Sequence, residues 1–186
     1  MKMNDQPVLQ WEGNFLRVIQ CGRWEYADRV GTTGAVAVVA VTEDAKLLLT
    51  EQYRIPVGCR VIELPAGLAG DAPEQAAEAL ADAARRELLE ETGYEAREMT
   101  RLASGPPSAG LASEIVTLFQ ATGLRRVAAG GGDAQEQIQV HEVPLAGVDR
   151  WLEARIAQGV MVDPKVYAGL YLLHIVRIEQ AQRKAA

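Results

Sequence analysis

Two hydrophobic periods divide the chain. Residues 8–30 carry short alternating stretches, among them FLRVIQ and WEYADRV, whose two-residue period predicts the strands of an N-terminal arm or small sheet. GAVAVVAV (34–41) is apolar throughout, as a strand covered on both faces should be. TEDA then turns the chain, KLLLTEQYR (46–54) returns as a strand, and CRVIELPAG (59–67) forms a third, ending on Pro65 and Gly67.

The period then becomes helical. Asp71, Pro73 and Glu74 read as an N-cap, a first-turn proline and an acid three residues on, followed by Ala-, Glu-, Leu- and Arg-rich sequence as far as Thr92. This predicts a continuous helix over about 72–92, closed by Gly93 as a left-handed cap. Further on, 113–124 contains a strand, AAGGGDAQEQ (128–137) is a glycine-rich loop, and IQVHEVPL (138–145) is a strand. Residues 147–158 predict a helix, and Asp163–Pro164 open a last amphipathic one with Val166, Leu170, Leu173 and Val176 on its apolar side. The tail EQAQRKAA is expected to fray, and no repeat or interdomain linker is seen.

The predicted long helix has an electrostatic anomaly. Glu87, Glu90 and Glu91 lie within about a third of its circumference and in its last turn. Like charges at this spacing repel, and the C-terminal end of a helix is already partly negative. Such placement against local preference points to a cation that answers it. Carboxylates at i, i+3 and i+4 suit a hard ion such as Mg²⁺, and the helix offers no His or Cys for zinc. Arg86 is placed to hold one of the acids. The plainer alternative is a solvated face of Arg–Glu pairs.

Composition narrows the function classes. With 186 residues and 48% hydrophobic content, one domain can bury a full core. A formal charge of −6 argues against nonspecific nucleic-acid binding. The first residues lack an apolar signal region, and the longest apolar run, Ala35–Val41, is too short to span a bilayer. Cys21 and Cys59 are far apart and match no metal pattern. These features lead us to expect a soluble cytoplasmic protein that binds neither nucleic acid nor membrane.

ELPAGLAGDAPEQAAEALADAARRELLEETGY (63–94) resembles the Nudix box, G-x5-E-x7-R-E-U-x-E-E-x-G-U with U apolar. Arg86, Glu87, Leu88, Glu90, Glu91, Gly93 and Tyr94 fit its second half, and Glu78 has the spacing to Arg86. Ten residues rather than five separate Gly67 from Glu78, and in a continuous helix Glu78 would point away from Glu87. The resemblance implies an α/β fold, a Nudix-type α/β/α sandwich with a central mixed β-sheet. Residues 34–186 would form that domain, and residues 1–33 an N-terminal β arm that crosses to a second subunit. It also implies Mg²⁺, with Mn²⁺ as the alternative, on Glu87, Glu90, Glu91 and the carbonyl of Ala66.

EQYR (51–54), SAGLASE (108–114) and EQIQVHEVPL (136–145) are similar to the ADP-ribose and nucleotide-sugar pyrophosphatase branch, and GGGDAQEQI is closer to its GDP-mannose hydrolases. Ala109 departs from a proline frequent there. The branch implies a homodimer that hydrolyses a nucleoside diphosphate sugar of ADP-ribose, ADP-glucose or GDP-mannose type to a nucleoside monophosphate and a sugar 1-phosphate. Glu136 would be the general base, with Asp133 in reserve, and Glu87 and Glu91 would complete the catalytic set. Arg54, Arg29, Glu63 and Glu114 would meet substrate, as would Trp24 and Tyr26, for which plain packing is the alternative. His141 and His174 are expected to be structural. The second reading is a sensor that binds an ADP-ribose-like ligand without cleaving it.

Overall fold

The computed structural model describes residues 6–70, 79–132 and 137–185. An antiparallel meander, β1 (Val8–Glu12), β2 (Leu16–Cys21) and β3 (Trp24–Arg29), forms the N-terminal arm. Eight further strands make two four-stranded sheets. One has the order β7 (Ala66–Ala69), β4 (Gly34–Ala40), β9 (Val116–Arg126) and β8 (Tyr94–Gly105). The other runs β10 (Gln139–Pro144), β5 (Lys46–Arg54), β6 (Cys59–Glu63) and β11 (Met161–Val162). Each sheet is mixed, through the parallel pairs β4–β9 and β6–β11.

The helices explain the apolar runs. α1 (Leu80–Thr92) packs on β7, β4 and β8, whereas α2 (Val148–Ala157) meets β10 and β11, and α3 (Pro164–Ala185) meets β4 and β6. Val36, Val38 and Ala40 of β4 share a core with Ala83, Ala84 and Leu88 of α1. Ala35, Ala37 and Val39 face the opposite way, into a core with Leu47, Leu49, Leu152, Val166 and Leu173. A strand covered on both faces needs no polar alternation, and GAVAVVA has none.

In the middle of the β10-β5-β6-β11 sheet one carboxylate is fully buried. Glu51 of β5 is 1% exposed, and its Oε1 accepts from Arg60 Nε of β6 at 2.6 Å. Its Oε2 takes Arg155 Nη2 of α2 at 2.6 Å and lies 2.8 Å from His141 Nε2 of β10. Burial pushes the Glu51 carboxyl up, but the hydrogen bonds from Arg60, Arg155 and His141 outweigh it, and the net shift is downward. His141, whose ring meets Trp151 edge-on at 5.0 Å, belongs to this buried cluster, whereas His174 is exposed on α3.

Several elements differ from the expectation. Ala79 is extended (φ −72°, ψ 142°), so α1 begins at Leu80 and no continuous helix runs from 72. The cap signal at Asp71–Glu74 and Glu78 itself lie outside the described residues. The stretch 59–67 divides at Leu64–Pro65, and its second part, β7, joins the other sheet. β8 was not foreseen, because YEAREMTRLASG is rich in helix formers and only its long pairing with β9 makes it a strand. The tail continues α3 to Ala185 rather than fraying.

Gly93 does cap α1 in the left-handed region (φ 76°) and donates to the Leu89 carbonyl at 2.8 Å. The glycine-rich loop completes the cap: Gly131 N–H reaches the Glu91 carbonyl at 2.7 Å and Gly132 N–H the Glu90 carbonyl at 3.1 Å. Gly130 (φ 74°) lies so close that a Cβ there would be 2.4 Å from the Thr92 carbonyl carbon.

Two stability predictions follow from this geometry. Gly130→Ala combines left-handed strain with a backbone collision, whereas Gly31→Ala, with nothing within 4 Å of its added Cβ, carries strain alone. Thermal denaturation should show a loss of about 1 kcal/mol for Gly31→Ala and clearly more for Gly130→Ala. Because the Glu51 carboxyl is depressed in the fold, its contribution is present above the unfolded value near 4.5 and is lost as pH falls through the folded one. Melting temperature between pH 5 and pH 3 should therefore fall less steeply in Glu51→Gln than in the parent chain.

Candidate active site

Glu87 and Glu91 of α1 converge on the turn between β6 and β7. Glu91 is 4% exposed, and its Oε2 accepts the Ala66 N–H at 3.0 Å. Glu87 packs onto Gly67: a Cβ at that position would lie 2.0 Å from the Glu87 carboxyl carbon. Glycine is required at 67 for space. Arg86 relieves the crowding: its Nη1 donates to Glu87 Oε1 at 2.9 Å and to Glu90 Oε2 at 3.1 Å, and its Nη2 to the Leu68 carbonyl at 2.9 Å. One guanidinium therefore ties two of the three acids to β7.

These side chains open on a cavity of about 560 Å³. Its wall includes Arg29, Arg54, Glu63, Ala66, Gly67, Glu87, Glu91 and Glu114, so seven of the expected site residues meet there with the box glycine. Strand alternation explains part of this. Gln52 and Arg54 of β5 and Val61 and Glu63 of β6 share one face, which is the cavity side, while Glu51 and Arg60 lie on the other. Arg54 Nε donates to Glu63 Oε2 at 2.8 Å. Arg29, at the end of β3, donates through Nε to Glu114 Oε2 and brings the arm to the cavity rim.

Other expected residues lie elsewhere. Glu90 is half-exposed and does not line the cavity. Trp24 is 49% exposed on the arm, and neither it nor Tyr26 lines the cavity of its own chain. Glu136 and Asp133 are outside the described residues. Among the described residues, no group of three or more His, Cys, Asp or Glu side chains is set as a metal site. The acids are engaged by Arg86 and by the Ala66 N–H instead. The donor set facing the cavity is oxygen only, which suits a hard divalent cation rather than zinc.

The sequence reading passed over Gln52, Asp163 and Lys165, which also line the cavity. Asp163 Oδ1 caps α3 by accepting the Lys165 N–H at 2.7 Å, and Lys165 Nζ pairs with Asp163 Oδ2. The available signal was the DPK triplet opening the last helix, which reads simply as a cap.

Known proteins are similar to this chain. A family model described as the NUDIX domain matches residues 31–158. A methanol dehydrogenase activator of Bacillus methanolicus is 41% identical over 113 residues, 60% of this chain and 58% of that protein, so the chain spans less than two thirds of it. An ADP-ribose pyrophosphatase of Bacillus subtilis (strain 168) is 35% identical over 153 residues, covering 81% of this chain and 77% of that one. Among solved structures, one titled as an ADP compounds hydrolase superposes with a TM-score of 0.67 at 21% identity, over 97% of this chain and 98% of that chain, a likeness of fold. From the box acids at the end of α1 to the two mixed sheets that carry them, and with these matches over most of its length, the chain belongs to the Nudix family.

Proposed function

We propose that this chain hydrolyses the pyrophosphate bond of a nucleoside diphosphate sugar, releasing a nucleoside monophosphate and a sugar 1-phosphate. The observation that carries the reading is the meeting of the partly buried Glu87 and the buried Glu91 with Arg29 and Arg54 in one cavity. Its volume, about 560 Å³, is in the range of small-molecule sites. The similarity to an ADP-ribose pyrophosphatase supports the substrate class.

Glu87, Glu91 and the Ala66 carbonyl would hold a divalent cation, Mg²⁺ or alternatively Mn²⁺, with Glu90 joining from the helix rim. When bound, the cation supplies charge neutralisation at the phosphoryl oxygens and an acidified water. Arg54 and Arg29 orient the diphosphate, as planar guanidinium groups do for phosphate oxygens. Glu63 and Glu114 keep those guanidinium groups aimed into the cavity. Glu136 is our candidate to take the proton from the attacking water. Phosphorus is attacked in line, and the bridging oxygen leaves with one product.

The arm carries exposed Val8, Leu9, Trp11 and Phe15, the last 79% exposed. We place these against a second copy in a homodimer, where Trp24 and Tyr26 would serve the partner's cavity. Cys21 and Cys59, two cysteines far apart in the sequence, suit a reducing cytoplasm, and no helix of the described residues is long and apolar enough to cross a membrane.

Four measurements test this reading. A hydrolysis panel of ADP-ribose, ADP-glucose, GDP-mannose and UDP-glucose with Mg²⁺ should show turnover of at least one compound; tight binding without turnover would favour the sensor alternative. Glu87→Gln and Glu91→Gln should lower kcat by about 10²-fold or more, the scale of one lost electrostatic contact to the transition state, while melting temperature without metal holds or rises. Glu136→Gln should cost about 10²–10⁴-fold, and full activity in it would move the base elsewhere. For assembly, light scattering should give a dimer for the parent chain and a monomer for Trp11→Ser/Phe15→Ser.

A further inference from the structure

The Glu51 cluster lies behind the cavity, and nothing in the hydrolysis reading uses it. Fold stability alone explains it poorly, since buried ion clusters replaced by well-packed apolar side chains often lose nothing. A carboxylate with three donors supplies direction, which apolar contacts do not. Its partners come from the neighbours of β5 on both sides. Arg60 of β6 grips Glu51 twice, at the side chain and through Nη2 at the backbone carbonyl (3.2 Å), and His141 stands on β10. Arg155 leads to the fourth strand. Its carbonyl accepts the Val160 N–H at 3.2 Å, and the chain then enters β11, which pairs Met161 and Val162 with Val61 and Ile62. The Asp163 N–H closes the connection on the Ile62 carbonyl at 2.9 Å.

The consequence falls on the other face of the same strands. Gln52 and Arg54 line the cavity because Glu51 is turned away from it, and a one-residue slip of β5 on β6 would reverse them. We propose that Glu51 is a positioning residue. Its carboxylate sets the β5–β6 wall, which carries Arg54 and Glu63, against the β11–α3 wall, which carries Asp163 and Lys165. The kinetic part of this inference rests on the hydrolase reading; the structural part does not.

The test is amide hydrogen exchange with steady-state kinetics on Glu51→Gln, Glu51→Met and Arg155→Gln in the full chain, with ADP-ribose and Mg²⁺ as the probe. In both Glu51 variants, exchange across 59–63 and 161–166 should quicken about tenfold while 80–92 changes less than about twofold, the signature of a local rather than a global opening. KM should rise about tenfold with kcat within about threefold, because the substrate-orienting wall moves while the α1 carboxylates stay in place. Arg155→Gln should show the same pattern more weakly, and it decides the matter if the Glu51 variants do not fold. Unchanged exchange, equal acceleration in 80–92, or a fall in kcat at constant KM overturns the proposal. If the parent chain does not turn over ADP-ribose, the hydrolase reading fails for that substrate, and exchange alone judges the clamp.

Discussion

Negative charge at the negative end of a helix has to be answered, and much of this structure supplies the answer. α1 ends in Glu87, Glu90 and Glu91, and three different elements bring donors to that end. Arg86, on the helix itself, reaches two of the acids and the β7 backbone. The turn into β7 gives the Ala66 N–H to Glu91. The glycine-rich loop gives two N–H groups to the last carbonyls, opposing the helix dipole where it is strongest. Glu87 and Glu91 are thereby fixed at the cavity wall, while Glu90 stays at the helix rim.

The β5–β6 hairpin shows how one pair of strands serves two environments. Its two-residue period sends Thr50, Gln52 and Arg54 to one side and Leu49 and Glu51 to the other. A short stretch, TEQYR, thus contains both a cavity arginine and a buried clamp. Precision on the cavity side depends on what holds the opposite side, and there it is charge, not only apolar packing.

How far the sequence reveals this varies with the kind of information involved. The acids, Gly67, Arg54, Glu63 and Glu114 are legible because a motif fixes their spacing and the geometry brings all but Glu90 to one cavity. The β4 run is legible because burial on both faces leaves an unmistakable composition. The start of α1 is not, since a good cap signal at Asp71 does not oblige the chain to be helical at Ala79. Lys165 and Asp163 are also hidden: they reach the cavity only because β11 pairs parallel with β6, a contact about 100 residues away in sequence that no local pattern announces. Glu51 is visible as an acid after LLLT, but its partners come from β6, β10 and α2, and only the fold assembles them.

The charge around the cavity gives a reason for metal that is independent of the motif. Its wall holds five carboxylates, Glu63, Glu87, Glu91, Glu114 and Asp163, against three cationic side chains, Arg29, Arg54 and Lys165. Each of those cations faces an acid: Arg29 with Glu114, Arg54 with Glu63, Lys165 with Asp163. The other two acids are Glu87, paired with Arg86, and Glu91, which accepts the Ala66 N–H, so the side chains lining the wall carry a formal excess of two negative charges. A diphosphate meets repulsion in such a cavity, and in a partly desolvated site that repulsion is stronger than in water. A single divalent ion cancels the excess. In the proposed reaction, occupancy by cation and by diphosphate would therefore be coupled through charge, each favouring the other, in both directions as any equilibrium linkage must be.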